Sequence, residues 1–184
     1  MAKHIGCTFG LLFSSIAFLT VGGEARAACS VQECDFPSYR VTARTPDNRT
    51  LVFLSDDIGR VEMFDGRGFT HFRIESLWQK TKLKIVYKCA YKNNRAELLE
   101  TPTFKHEERC PNVADIQSGS IRDINLSLRG TDMDNYELSY RCRIAVSGQE
   151  SEKGLVGSGQ YCGDGPRGPD QTLLIRAEIW LKRN

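Results

Sequence analysis

The sequence predicts an all-β domain built as an antiparallel β-sandwich, with a closed β-barrel as the alternative. Apolar and polar residues alternate with period 2 in several short segments, as they do in strands that bury one face. Turn-forming residues separate these segments at regular intervals. The cysteines form two similarly spaced sets, which indicates an internal strand–loop–strand duplication. Spacing leaves both architectures open, and we favour the sandwich.

Residues 1–27 have the features of a signal peptide. A basic head precedes an apolar run, and Ala25 and Ala27 have the small-residue spacing that a signal peptidase reads. Glycine, serine and threonine interrupt the run, so it does not predict a membrane span. We therefore predict a secreted or periplasmic protein whose mature part, residues 28–184, is a single domain. Lipidation of Cys29 is the alternative.

The first part of the mature domain contains two predicted strands on either side of a turn. Residues 39–43 alternate and are rich in residues that favour strands. Residues 45–48, Thr-Pro-Asp-Asn, follow as a turn, because proline fixes φ and Asp and Asn accept turn geometry. Residues 51–54 form an uninterrupted apolar run, which is typical of a buried strand.

A hairpin is predicted next, over residues 61–78. Two β-rich runs, residues 61–64 and 69–78, are separated by Asp-Gly-Arg-Gly. The two glycines can adopt positive φ, which a tight turn requires. Apolar runs on either side of an Asp-Gly turn indicate that the two strands are antiparallel neighbours.

Four later segments alternate more cleanly, and each predicts a strand: residues 83–91, 124–128, 137–146 and 173–181. In the first of them Tyr87 and Cys89 share the inward face, whereas Lys88 points outward. Only residues 95–100 and 112–117 have a composition that would suit a helix, and both are short. The domain is therefore predicted to consist of strands.

Two of these strands carry a Tyr-x-Cys pattern that predicts the disulfides. Cys89 and Cys142 are 53 positions apart, and Cys110 and Cys162 are 52 positions apart. Two copies of one unit, each closing its own bond, would explain both spacings. We therefore predict disulfides Cys89–Cys110 and Cys142–Cys162, each closing a loop of roughly 20 residues and contributing ~3 kcal/mol.

Other connectivities of the mature cysteines remain open, since six cysteines allow 15. The main alternative joins Cys89 to Cys142, as in an immunoglobulin domain. Such a domain has a core tryptophan between its two cysteines, and neither tryptophan of this chain lies in that interval. With the preferred pairing, Cys29 and Cys34 remain to bond each other.

The charge of the mature chain is close to neutral. The whole chain has 25 Lys and Arg against 23 Asp and Glu. Because Lys3, Glu24 and Arg26 leave with the signal peptide, 25 − 2 = 23 basic and 23 − 1 = 22 acidic residues remain. This balance favours neither nucleic acid nor an anionic membrane as a partner. No later segment is apolar for long enough to predict an integral membrane span.

No combination of residues predicts catalysis, a metal site or a cofactor. His71 and His106 are the only histidines of the mature chain, and we predict solvated surface positions for both. Ser158 lies in Gly-Ser-Gly, but Val156 replaces the first glycine of a nucleophile elbow. No Cys-x-x-Cys pair is present, and residues 132–135, Asp-Met-Asp-Asn, are more typical of a turn than of calcium binding.

The candidate binding residues lie near the C-terminus. Glycines and prolines exclude regular structure from residues 163–170, which include Asp164 and Arg167. A loop of this kind on a β scaffold is a common recognition surface. Tyr161 and Trp180 face away from the main apolar row of their strands. We predict that these four residues contact a protein or glycan ligand.

Three functions are compatible with these features. The export signal, the disulfides and the absence of a catalytic constellation favour a non-catalytic binding protein. The first alternative is a hydrolase that uses carboxylates on the polar sheet face, such as Glu75 with Asp56 or Asp57. The second is a structural component of the cell envelope that assembles through its sheet edges.

Overall fold

The computed structural model describes residues 38–77, 82–93, 95–112, 120–167 and 172–184. The predicted signal peptide, Cys29, Cys34 and Trp78 lie outside these residues. Within them, no helix has the length and the apolar character needed to cross a membrane.

The described residues form eleven strands, two short 3₁₀ turns and no α-helix. The strands are β1 (Tyr39–Arg44), β2 (Thr50–Leu54), β3 (Arg60–Phe64), β4 (His71–Ser76), β5 (Lys84–Lys92), β6 (Leu98–Glu100), β7 (Ile121–Arg129), β8 (Tyr136–Val146), β9 (Gln149–Glu152), β10 (Val156–Gly157) and β11 (Thr172–Arg183). The 3₁₀ turns are Met133–Asn135 and Gly165–Arg167. A helix at residues 95–100 is wrong, because the second half of that segment is β6, which pairs with β5. Residues 113–117 of the other possible helix lie outside the described residues.

These strands form three sheets. The first sheet has the order β2-β1-β4, and the second has the order β6-β5-β7. The third has the order β10-β8-β11-β3, with β9 also paired to β8. Every pairing between these strands is antiparallel, and the described strands do not close into a barrel. The predicted sandwich-like architecture is confirmed, with three sheets rather than two, and the barrel is not formed.

One hydrophobic core joins the three sheets. The inward row of β1, formed by Tyr39, Val41 and Ala43, is buried, whereas Arg40 and Thr42 between them are partly exposed. This is the alternation that the sequence predicts for a strand with one covered face. Each large apolar side chain that is moved from water into such a core contributes about 1.5–3 kcal/mol. The common core therefore holds the sheets together.

The predicted hairpin over residues 61–78 is wrong. β3 pairs with β11 in the third sheet, whereas β4 pairs with β1 in the first. The backbone N–H of Asp65 donates to the carbonyl of Ile175 at 3.0 Å, which holds the turn against β11. Gly68, at φ +78°, lies so close to Leu173 that a Cβ there would be 2.5 Å from the leucine Cδ1. The turn therefore carries the chain from one sheet to another.

β2 is an edge strand and not the buried strand that its apolar run predicts. Leu51 and Phe53 pack against the core. Val52 and Leu54 point to the other side, where they are 57% and 50% exposed. β2 pairs only with β1 among the described strands, so its other edge has no strand partner there.

Both predicted disulfides of the described residues are confirmed. Cys89 is bonded to Cys110 and Cys142 to Cys162, with Cα atoms 6.2 and 5.8 Å apart. The loops that they close span 21 and 20 positions. By the chain-entropy argument each bond stabilises the fold by ~3 kcal/mol.

The duplication is also present in the backbone hydrogen bonds. Each unit has a first strand (β4 or β7), a long strand with Tyr-x-Cys (β5 or β8) and a short strand paired to it (β6 or β9). It ends in a return segment, which carries the second cysteine, Cys110 or Cys162. In one unit the N–H of Cys110 donates to the carbonyl of Phe72 at 2.8 Å. In the other, the N–H of Cys162 donates to the carbonyl of Ile124 at 3.1 Å. The return segment therefore docks on its own first strand in both units.

The two ends of the chain assemble a third unit of the same kind. Ala43 of β1 faces Phe72 of β4. At the corresponding point of the second sheet, Cys89 of β5 faces Ile124 of β7. In the third unit β11 is the first strand and β3 is the return segment. Met63 of β3 pairs with β11 at the point that corresponds to the docking of Cys110 and Cys162 on the first strands of their units. The third unit, made of β11, β1, β2 and β3, therefore has the same strand arrangement as the other two. Ala43 and Met63 take the positions of the two cysteines.

Candidate ligand-binding surfaces

The outward face of the third sheet carries a network of arginines and glutamates. At its centre lies Glu178, whose side chain is only 3% exposed. Its carboxylate is 2.9 Å from Arg141 and 2.5 Å from Arg176. Arg60 lies 3.5 Å away on the other neighbouring strand. Because a buried carboxylate is costly unless cations surround it, these contacts fix the arrangement of the face.

Trp180 lies beside this network on the outward face of β11, as the alternation predicts. The guanidinium carbons of Arg60 and Arg141 are 5.9 and 5.4 Å from the centre of the indole ring. Both distances are within the range of a cation–π contact. Since the same two arginines bind Glu178, the charge network holds the indole in position.

A cleft of about 570 Å³ opens next to Trp180. Its wall includes Arg141, which pairs with Glu152 at 2.9 Å, and Lys153. Leu155, which is 65% exposed, adds an apolar side chain. The cleft therefore combines apolar surface with the paired charges of Arg141, Glu152 and Lys153. Lys182 also lines it and makes no ion pair with the described residues.

Sequence reasoning missed most of the cleft wall. Glu152 ends β9, and Lys153 and Leu155 follow it before β10. Their place beside Trp180 depends on the pairing of β9 and β10 with β8 and of β8 with β11. The outward alternation of β8 and β11 is the signal that could have identified this face.

The loop that contains Asp164 and Arg167 is tied to the buried carboxylate of Asp123. Asp123 Oδ2 accepts the backbone N–H groups of Gly163 at 2.9 Å and of Gly165 at 2.7 Å. Burial raises the pKa of Asp123, and these backbone hydrogen bonds oppose the rise. The carboxylate therefore anchors the start of the loop to β7.

The four predicted binding residues do not come together in one site. Trp180 lines the cleft, and exposed Asp164 reaches its wall through an ion pair of 3.7 Å. Tyr161 is partly covered by the loop, because a Cβ on Gly165 would lie 2.9 Å from the tyrosine ring. Arg167 is exposed at the end of its 3₁₀ turn. Only the position of Trp180 is that of a residue facing a concave surface.

The carboxylate of Asp123 also lies within 4.8 Å of the sulfurs of Cys142 and Cys162. This is the single grouping of three potential metal ligands in the part of the chain that the structure describes. The two sulfurs are bonded to each other, and a disulfide supplies no thiolate. The grouping is therefore disulfide packing and not a metal centre.

The outward face of the first sheet holds a second concavity, a pocket of about 530 Å³. Its lining is mostly basic and neutral polar, with Arg44, His71, Arg73, Arg109, Thr42, Thr50 and Asn112, and also includes the apolar residues Ala43 and Phe72. The prediction of a solvated His71 is wrong, because this residue is only 9% exposed. Burial, followed by the positive charges of Arg109 and Arg44, lowers the pKa of His71 to about 4.

Two of the three carboxylates suggested for a hydrolase, Glu75 and Asp56, have structural partners, whereas Asp57 is exposed. Glu75 accepts a hydrogen bond from Arg40 Nε at 2.7 Å and is also bound by Arg73. Asp56 Oδ1 accepts the backbone N–H of Arg60 at 2.7 Å, which closes the turn between β2 and β3. Both carboxylates therefore serve the fold.

Comparisons of the chain with protein-family models, with curated proteins and with solved structures find no match. Two outward faces carry distinctive chemistry. Most charges of the cleft at Trp180 are paired, whereas the pocket of the first sheet has three arginines and a histidine in its lining.

Proposed function

We propose that the protein is an exported, non-catalytic binding protein that holds a neutral glycan in the cleft beside Trp180. The observation that carries this proposal is a concave site of about 570 Å³ in which an aromatic ring adjoins paired charges. Sites for small ligands are typically clefts of about 300–1,000 Å³ with apolar walls and a few polar groups.

A glycan suits this cleft because a sugar has apolar C–H surface and hydroxyls that both donate and accept hydrogen bonds. Trp180 and Leu155 supply apolar surface, and the Ser139 hydroxyl and the Glu152 carboxylate supply polar groups. Arg141 is already neutralised by Glu152, so a charged ligand would have to displace a partner that the protein provides. A neutral polar ligand avoids that cost.

Export is supported by the two disulfides, because such bonds persist in oxidising compartments. Cleavage after Ala27 would release a mature chain that begins at residue 28. Mass spectrometry of the protein from its native compartment measures that terminus. A diacylglyceryl group on Cys29 would instead show an anchored lipoprotein and contradict this part of the proposal.

Glycan-array screening of the mature, oxidised protein, followed by calorimetry on the glycans that bind, tests the cleft. Trp180→Ala should weaken binding at least about tenfold, since a buried aromatic anchor commonly contributes that much. Val52→Ala is the matched control, because it removes an exposed apolar side chain from another sheet and should leave affinity unchanged. Unchanged binding by Trp180→Ala, or an array without a binder, would contradict the proposal.

The same samples separate the two alternatives. Conversion of a bound glycan into shorter products, detected by mass spectrometry, would support the carboxylate hydrolase. Concentration-dependent self-association that Val52→Lys abolishes would support an envelope component, because Val52 lies on the exposed edge strand β2. Binding without turnover by a monomer supports the binding protein.

A further inference from the structure

The three related sheets allow their outward faces to be compared position by position. In the third sheet Arg143 of β8 faces Glu152 of β9. In the first sheet Arg44 of β1 faces Thr50 of β2. Arg44 and Arg143 are equivalent, because each directly follows the first cysteine position of its unit. The arginine is thus retained in the first sheet, but a threonine takes the place of its carboxylate partner.

A second pair of positions differs in the same direction. In the third sheet Glu178 of β11 faces Glu62 of β3. Arg73 of β4 is equivalent to Glu178, because it directly follows Phe72, the residue on which Cys110 docks. Arg109 is equivalent to Glu62, because it directly precedes Cys110 as Glu62 directly precedes Met63. Two carboxylates of the third sheet are therefore replaced by two guanidinium groups.

Among the described residues, this exchange leaves the positive charge of the first-sheet pocket unbalanced. Arg73 binds Glu75, but Arg40 shares that carboxylate at 2.7 Å. Arg44 and Arg109 make no ion pair with any residue of the described ranges. Like charges that share a pocket repel each other, and a bound anion would relieve that repulsion.

The pocket also offers neutral hydrogen-bond groups beside the arginines. The hydroxyls of Thr42 and Thr50 and the amide of Asn112 line it. His71 Nδ1 lies 3.1 Å from Thr70 Oγ1, and its Nε2 makes no hydrogen bond with the described residues. Guanidinium forks surrounded by hydroxyl and amide donors are the groups that recognise oxyanions.

We propose that the pocket of the first sheet binds the phosphate or sulfate group of a small molecule. Arg44 and Arg109 donate to the oxyanion from β1 and from the return segment, and Thr50 donates from β2. The pocket of about 530 Å³ is far larger than a tetrahedral oxyanion, so it has space for the molecule that carries the group. Because the Trp180 cleft lies on another sheet, the two sites bind independently.

Calorimetric titration of the mature, oxidised protein with inorganic phosphate and with inorganic sulfate tests the site, against chloride at equal ionic strength. We expect saturable binding. Arg109→Gln and Arg44→Gln should each weaken it about ten- to a hundredfold, the loss expected for a charge-assisted hydrogen-bond partner. Arg143→Gln, the matched control at the position of Arg44 in the third sheet, should bind as the native protein does. Circular dichroism checks that each variant is folded.

A second arm identifies the source of the oxyanion. The protein is sedimented with vesicles of anionic phosphatidylglycerol and with vesicles of neutral phosphatidylcholine. Anionic-vesicle binding that Arg109→Gln abolishes would assign the group to a lipid headgroup, whereas binding of the inorganic ions alone would assign it to a soluble ligand. The proposal is overturned if no probe binds saturably, or if Arg143→Gln weakens binding as much as Arg44→Gln does.

His71 supplies a readout that is independent of affinity. The charged groups that face it are Arg44 from β1, Arg73 from its own strand and Arg109 from the return segment. A bound oxyanion offsets their positive charge, so phosphate should raise the pKa of His71, measured by NMR titration of the imidazole. An unchanged His71 titration at saturating phosphate would place the anion elsewhere. Trp180→Ala should leave this response intact, so that failure of the glycan proposal and failure of this one are distinguishable.

Discussion

Tyr87 and Tyr140 make the same two hydrogen bonds in their respective disulfide units. Each hydroxyl donates to the backbone carbonyl two residues before the second cysteine. Each also accepts a backbone N–H from the first strand of its unit, from Ile74 at 3.1 Å for Tyr87 and from Leu126 at 3.0 Å for Tyr140. Burial raises the pKa of both phenols, to about 12 for Tyr140. The tyrosine thus joins the first strand to the return segment next to the disulfide.

Tyr140→Phe should lower the free energy of unfolding by about 1–3 kcal/mol, because it leaves the buried N–H of Leu126 without its phenol partner. Tyr87→Phe should cost a similar amount for the same reason. Urea denaturation of the oxidised protein measures both. Tyr91→Phe is the matched control, since the Tyr91 hydroxyl has no hydrogen-bond partner among the described residues. If all three variants lose the same stability, the shared hydrogen bonds do not explain the effect.

The double variant Ala43→Cys/Met63→Cys should form a third disulfide. These residues occupy the two cysteine positions of the third unit, both are buried, and their separation of 20 positions equals that of Cys142 and Cys162. Thiol titration and intact mass would show the loss of two hydrogens. The oxidised variant should be about 3 kcal/mol more stable than the same variant with only this bond reduced.

Single variants Ala43→Cys and Met63→Cys provide the control, because each should keep one free thiol. Two persistent free thiols in the folded, oxidised double variant would show that the third unit does not bring these positions within bonding distance. That result would limit the equivalence of the three units to strand pairing.

The success and the failures of prediction from the sequence have physical causes. The disulfides were predictable because two units retain the same Tyr-x-Cys spacing. The third unit was not, since Ala43 and Met63 carry no recognisable pattern and its strands come from opposite ends of the chain. The hairpin over residues 61–78 failed because an Asp-Gly turn reports local φ preferences and not the partners of the flanking strands.

The same division applies to the candidate sites. The outward position of Trp180 followed from alternation along a single strand. The pocket at Arg44 and Arg109 could not be predicted in that way, because Arg109 lies in a return segment that is placed beside β4 by the Cys89–Cys110 bond and by backbone pairing. Non-local pairings of this kind leave no period in the sequence.

Asp123→Ala should release the loop that begins at Gly163. The substitution removes the acceptor for the N–H groups of Gly163 and Gly165, and a lost charge-assisted hydrogen bond typically costs about 1.5–3 kcal/mol. Hydrogen exchange of these two amides should accelerate, and urea denaturation should show the loss of stability. Asp164→Ala is the control, because that exposed carboxylate makes only an ion pair of 3.7 Å and its loss should cost at most about 0.5 kcal/mol. Equal effects of the two substitutions would refute the anchoring role of Asp123.

His71 should make the native protein less stable as the pH falls from about 6.5 to about 4. Its folded-state pKa is about 4, lowered first by burial and then by Arg109 and Arg44, whereas an unfolded histidine titrates near 6.5. Between these values the unfolded chain binds more protons, so the free energy of unfolding decreases with decreasing pH. Above about pH 7.5 the imidazole is almost entirely neutral in both states, and the effect is absent.

The difference between native protein and His71→Gln isolates this contribution, because all other titrating groups are common to both. We expect the native protein to lose about 2–3 kcal/mol more than His71→Gln between pH 7.5 and pH 4, measured by urea denaturation in a buffer without phosphate or sulfate. Parallel pH profiles of the two proteins would show that His71 is not held neutral in the fold. Added phosphate should reduce the difference, since an oxyanion beside Arg44 and Arg109 favours the protonated imidazole.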